Sequence, residues 1–170
     1  TMQKVIPFIL TGSVIFLYNV LVSFFPSLPD LGPISDFSFG IISLIVAFTI
    51  ANQCMEKLGH PSYMINAGIA SIGVFLMVAI PIGEDADSIS ALMNHVSASG
   101  IAVAMITGLF TSIIFHLWAK LQFLKDSSIP DFVSSWINTV VPNLISLGVI
   151  MIMVKLMEVN VYAAIISIFT

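Results

Sequence analysis

Histidine, cysteine and clustered carboxylates are the side chains through which a chain of this size would do acid–base, nucleophilic or metal chemistry, and here they are few and scattered. His60, His95 and His116 stand far apart, Cys54 is the single cysteine, and Glu84, Asp85 and Asp87 form the one acidic cluster. No Cys/His group has metal-ligand spacing, and one cysteine cannot close a disulfide within the chain. Cys54 ends an apolar run beside Gln53 and Glu56, where a small packing residue is expected. His60 and His95 fall in connections and read as solvated. His116 lies two residues before Trp118 and reads as interfacial, a proton-relay or ligand role being its rival. Three acids in a loop could hold a cation, but their ordinary state is solvated. There is no nucleophile elbow, P-loop or GxGxxG run. The sequence therefore offers no catalytic residue, no metal site and no cofactor site, and predicts that the chain is not an enzyme on its own.

The elements that must carry these residues are apolar. Hydrophobic residues make up 58% of the 170 residues and charged ones 8%, against about 25% charged in a soluble domain. Mean hydropathy is +1.10. A deficit this large points to lipid as the solvent. Arginine is absent, and Lys4, Lys57, Lys120, Lys125 and Lys155 form no basic patch, which excludes a nucleic-acid partner.

A helix needs about 20 residues to cross the hydrocarbon. Five runs meet or approach that length: 5–25, 37–55, 65–82, 100–118 and 137–157. Lipid offers no hydrogen bonds, so each must be helical. The predicted fold is all-α, a polytopic membrane protein in one transmembrane domain over 1–170, with five transmembrane helices and short amphipathic interfacial helices at 129–136 and 159–170. Lysine occurs before the first run, in 56–66 and after the fourth run, whereas 26–36 and 83–99 carry acids and no lysine. The positive-inside rule then places the N-terminus of this multi-pass protein in the cytoplasm. The tail 159–170 is apolar but too short to cross, and reads as an interfacial helix or the first half of a further span.

Helices in lipid associate through close packing of small residues. Gly100, Ala104, Gly108 and Ser112 repeat every four residues, as do Gly40, Ser43, Ala47 and Ala51 at similar spacing. Each set predicts a face packed against a neighbour, within the bundle or across a dimer, with a solute path as the rival reading. Asn138 and Asn143 are the candidate polar residues within the fifth span. Amides in hydrocarbon need partners, so helix-to-helix hydrogen bonds are expected of them.

The stretch "SSIPDFVSSWINTVVPNLISL" at 127–147 is half-polar between two apolar spans. Pro130 sets a boundary near Ile129. Phe132, Val133, Trp136 and Ile137 then repeat at helical spacing, predicting a short amphipathic approach to the bilayer. Pro142 is expected to kink the start of the fifth span, and Pro130, Trp136 and Pro142 together mark an interfacial hinge.

The chain resembles the permease (IIC) subunits of the bacterial phosphoenolpyruvate-dependent sugar phosphotransferase system, of the lactose/cellobiose (chitobiose) type. The likeness rests on "SGIAVAMITGLFTSIIF" at 99–115, similar to a "GxFxAxxxGL"-like span, and on "KLQFLKDSSIPDFVSSWINTVVP" at 120–142, similar to a "PxxVxxSF"-like stretch followed by "LxP". Trp136 stands where the family tends to have Phe. "IPFILTGSVIFLYNVL" at 6–21 and "FSFGIISLIVAFTIA" at 37–51 look like the first two spans.

The resemblance covers the family's N-terminal half. It implies the dimerisation domain of a longer permease that takes up a disaccharide such as cellobiose, chitobiose or lactose. It also implies a homodimer in the lipid bilayer and IIB and IIA proteins as partners that carry the phosphoryl group. The family's Asn-Glu-Pro sugar motif does not occur here, so no substrate-binding residue is carried over. The alternative is an autonomous small membrane protein, either a pore-forming oligomer or a permease-derived regulatory or receptor subunit.

Overall fold

The structure is a computed structural model, and it describes residues 2–25, 29, 31, 34, 38–80, 88–121, 131–156 and 160–169. Among these residues it is all-helical. The main elements are α1 (Met2–Phe24), α2 (Ile42–Lys57), α3 (Met64–Ala79), α4 (Ser88–Val96), α5 (Ile101–Leu121), α6 (Asp131–Met151) and α7 (Val161–Phe169). Short 3₁₀ turns, Pro61–Tyr63 and Ala98–Gly100, lead into α3 and α5, and a π turn, Ile152–Leu156, extends α6.

Among the described residues four stretches are long and apolar enough to cross a membrane: Ile6–Phe24, Pro61–Ala79, Ala98–Leu121 and Val133–Val154. The second predicted span, 37–55, does not reach that length. Its helix proper is the 16 residues Ile42–Lys57, about 24 Å at 1.5 Å per residue, because Gly40 and Ile41 form a turn before it.

Despite its length, α2 is the centre of the bundle, packing most extensively against α5 and α3. Helix directions follow from the close approaches. Ser43 Oγ donates to the Ser97 carbonyl, a Cβ at Gly108 would sit 2.9 Å from the Ala47 carbonyl oxygen, and Ser112 Oγ lies 3.4 Å from that of Ala51. Residue numbers rise together, so α2 and α5 are parallel. Asn66 meets Thr139, and a Cβ at Gly73 would lie 3.3 Å from Leu147, so α3 and α6 are parallel too. Gly68 lies against Phe48, which closes α2 and α3 as an antiparallel hairpin.

The core follows the same geometry. Ile42, Val46 and Ala47 of α2 cluster with Val74, Phe75, Val78 and Ala79 of α3 and with Val103 and Ala104 of α5. A second cluster joins Ala51 and Met55 to Ala67, Ala70 and Phe115. By contrast α1 is peripheral: only 6% of Ile6–Phe24 is buried, against 44% for each of the stretches containing α3 and α5.

Two expectations change. The interfacial helix at 129–136 is not a separate element. From Asp131 onward those residues form the first turns of α6, one helix running through Pro142 to Met151, while 129 and Pro130 lie outside the described residues. The loop 83–99 contains a helix, α4, so His95 is part of a helix end rather than a solvated connection.

Candidate functional site

At one end of the bundle the chain reverses between α2 and α3, and glycine makes this possible. Gly59 has φ +80°, a left-handed conformation that costs glycine little. Its N–H donates to the Glu56 carbonyl and that of His60 to the Met55 carbonyl, the paired bonds that close a helix C-terminus. His60 is thereby folded back over the helix end. Its ring lies 5.1 Å, centroid to centroid, from that of His116 near the end of α5. Tyr63 stands edge-on to His60 at 6.5 Å and to Phe115 at 6.3 Å. His116 Nδ1 is buried with no hydrogen-bond partner among the described residues. These groups are distant in sequence and meet only because α2 and α5 run parallel. Lys57 and Lys120, both exposed, end those two helices on the same side.

At the opposite end His95 Nδ1 lies 2.7 Å from the Ala79 carbonyl oxygen at the end of α3. Its ring stacks on Tyr162 of α7 at 3.8 Å and 24°. Asn160 starts α7 by accepting the Ala163 N–H at its Oδ1, 3.0 Å away, an N-cap bond. Ile165 is buried against the core cluster, so the tail is a docked helix.

Between the ends runs the small-residue seam. Gly100, Ala104, Gly108 and Ser112 are all buried, as are Ser43, Ala47 and Ala51, and Gly40 is half-buried. The two stripes face one another across α2 and α5. At Gly108 a side chain would meet the Ala47 carbonyl oxygen and Ile50, and at Gly100 a Cβ would meet the His95 carbonyl oxygen. Hydroxyls deeper in the bundle are satisfied locally: Thr107 Oγ1 donates to Val103, Thr111 Oγ1 to Thr107 at 2.8 Å, Ser71 Oγ to Gly68 at 2.7 Å and Ser146 Oγ to Asn143 at 2.8 Å. Such back-bonds occupy the carbonyl and the hydroxyl together.

The amides divide differently from expectation. An interhelical bond is made by Asn66, whose Nδ2 donates to Thr139 Oγ1 at 3.2 Å. Asn143 Oδ1 is buried with no partner among the described residues, Asn138 is half-buried on α6, and Trp136 is exposed on it. Pro142 is fully buried inside α6. Cys54 is a free, half-buried thiol. Glu84, Asp85 and Asp87 lie outside the described residues, and among the described residues no three His, Cys, Asp or Glu side chains converge as a metal site. The sequence missed the His60–His116 pair and the Asn66–Thr139 bond, whose only advance signal was an amide within an apolar run.

Beside the seam, on the outer face of α2 and α5, lies a groove of ≈ 240 Å³ lined by Ile50, Gln53, Cys54, Lys57, Met105 and Leu109. Gln53 is 6% exposed, and its Nε2 is buried without a hydrogen-bond partner among the described residues.

No family model, curated protein or solved structure matches the chain.

Proposed function

We propose that the chain is a membrane-embedded scaffold, the packed N-terminal part of a IIC-type sugar permease of the phosphotransferase system. The observation that carries the scaffold reading is the closed seam between α2 and α5, in which a Cβ at Gly108 would already meet the Ala47 carbonyl oxygen and one at Gly100 the Ser43 hydroxyl. A solute path needs room and polar groups free to replace water, and here the seam has neither. The permease part rests on the sequence resemblance.

In this reading the short α2 crosses with the other four helices, its ends extended by turns and by the neighbours' longer walls. The alternation of α2, α3, α5 and α6 directions fits successive crossings. Lys57 and Lys120 at one end support a reading in which that end and the N-terminus face the cytoplasm and the protein sits in the bacterial inner membrane. The seam is used within the chain, so a homodimer would form through another surface, such as the exposed α1. Disaccharide uptake and phosphoryl transfer belong to chain beyond this bundle and to IIB and IIA partners.

Two experiments test the two parts. Liposomes reconstituted with the purified chain stay sealed to small cations and to cellobiose; leak that scales with protein would favour an autonomous pore and overturn the scaffold reading. In the source cells, disrupting the coding sequence abolishes phosphoenolpyruvate-dependent uptake of cellobiose, chitobiose or lactose. Unchanged uptake of all three would overturn the permease reading alone.

A further inference from the structure

The groove between α2 and α5 is a site of a kind the sugar-permease reading does not use. Its wall is apolar along Ile50, Met105 and Leu109, and Lys57 closes one end. Ile50, Gln53 or Cys54, and Lys57 recur at helical spacing, so one face of α2 supplies an apolar stretch, an amide and an ammonium in that order toward its C-terminus. From Ile50 to Lys57 this face rises about 10 Å at 1.5 Å per residue. Gln53 is more than nine-tenths buried, and its Nε2 is an unpartnered donor. Leaving a buried donor unpaired is costly, and more so where no water reaches it.

We propose that this groove binds one anionic phospholipid, with an acyl chain along Ile50, Met105 and Leu109 and the headgroup phosphate at Lys57. The glycerol-ester region then lies at the depth of Gln53. Rotation of the amide about its last torsion would turn Nε2 toward an ester carbonyl, an acceptor that the described residues do not supply. The order apolar, amide, ammonium matches the order chain, ester, phosphate along a lipid. Charge selects the anionic class: Lys57 is exposed at the groove mouth, and Glu56, one position earlier, is not part of the groove wall. An aqueous sugar or metabolite finds no matching set of polar groups there, since Gln53 and Lys57 are the polar members of an otherwise apolar lining.

Native mass spectrometry of the purified full chain tests this with phosphatidylglycerol and phosphatidylcholine of identical acyl chains. The chain retains phosphatidylglycerol in preference to phosphatidylcholine. Lys57→Gln lowers that preference about fivefold, the ratio equivalent to the roughly 1 kcal/mol that a lysine near the surface contributes toward anionic lipid. Lys120→Gln, which removes an equal charge at the same end but outside the groove, leaves it unchanged. Leu109→Trp, filling the groove, removes retained lipid of both kinds. Gln53→Leu weakens both lipids alike, because it removes the ester contact rather than the charge. Each variant is first checked for a wild-type melting curve. Equal retention of the two lipids by the wild type, equal losses in Lys57→Gln and Lys120→Gln, or adducts untouched by Leu109→Trp would each overturn the proposal. None of these outcomes bears on sugar uptake.

Discussion

Helices α1 and α2 are nearly opposites. Met2–Phe24 is a long apolar run and the first of the four stretches fit to cross a bilayer, yet only 6% of Ile6–Phe24 is buried, and Leu10, Val14, Leu17 and Leu21 are more than half exposed. Ile42–Lys57 is short and carries Ser43, Thr49, Asn52 and Gln53. It falls outside that set of four, yet Ala47, Ala51 and Met55 are wholly buried, and its packing against α5 and α3 is the most extensive among the described helices. In lipid, apolar surface gains nothing by leaving its solvent, so hydropathy selects what can cross and says little about what packs. Packing is decided by small residues that let backbones approach, and α2 has them where α1 has bulky ones.

The contrast is most easily broken at the seam. Gly100→Ala places a methyl group on the His95 carbonyl oxygen, and Gly108→Leu forces a side chain against Ala47 and Ile50. Each costs about 3 kcal/mol or more, at or beyond the usual range for overpacking. Thermal melts in detergent check this: a wild-type transition in either variant would remove the close approach from the account. Next in size is Phe75→Ala, at a position wholly buried between α2, α3 and α5, which costs about 2–4 kcal/mol. That begins below the range for soluble cores, about 3–5 kcal/mol, because only the cavity term survives where lipid replaces water. Asn66→Ala costs about 0.6 kcal/mol, the mean for interhelical hydrogen bonds in a membrane protein. A double-mutant cycle with Thr139→Ala would return that coupling, and additive effects would contradict the bond. Smallest is Leu17→Ala on α1, within about 0.5 kcal/mol of wild type; a loss comparable to that of Phe75→Ala would mean that α1 is a core helix after all.

How much of this the sequence could tell differs by residue. The apolar runs at 5–25, 65–82, 100–118 and 137–157 predict four crossing helices because length and hydropathy are local properties. The stripes Gly100–Ser112 and Gly40–Ala51 predict faces for the same reason. That these two faces meet each other, and in parallel, is a tertiary fact no periodicity contains. His60, His95 and His116 show the same limit. Each looks solvated or interfacial alone, yet His60 and His116 come together through the reversal at Gly59, and His95 stacks on a tail helix. α4 was hidden because its nine residues are short and polar enough to read as loop. Pro142 lies inside α6, which is one helix on both sides of it; proline is tolerated within membrane helices.

The central claim is that the two small-residue faces close on each other inside one chain. Cross-linking of Ala51→Cys with Ser112→Cys, in a Cys54→Ala background and in native membranes, tests it most directly. The account predicts an oxidised species of monomer mass, independent of protein dilution, that does not form when Leu17→Cys replaces Ala51→Cys. A cross-linked product of twice the chain's mass, or no cross-link at all, would contradict it and return the seam to the surface of the molecule.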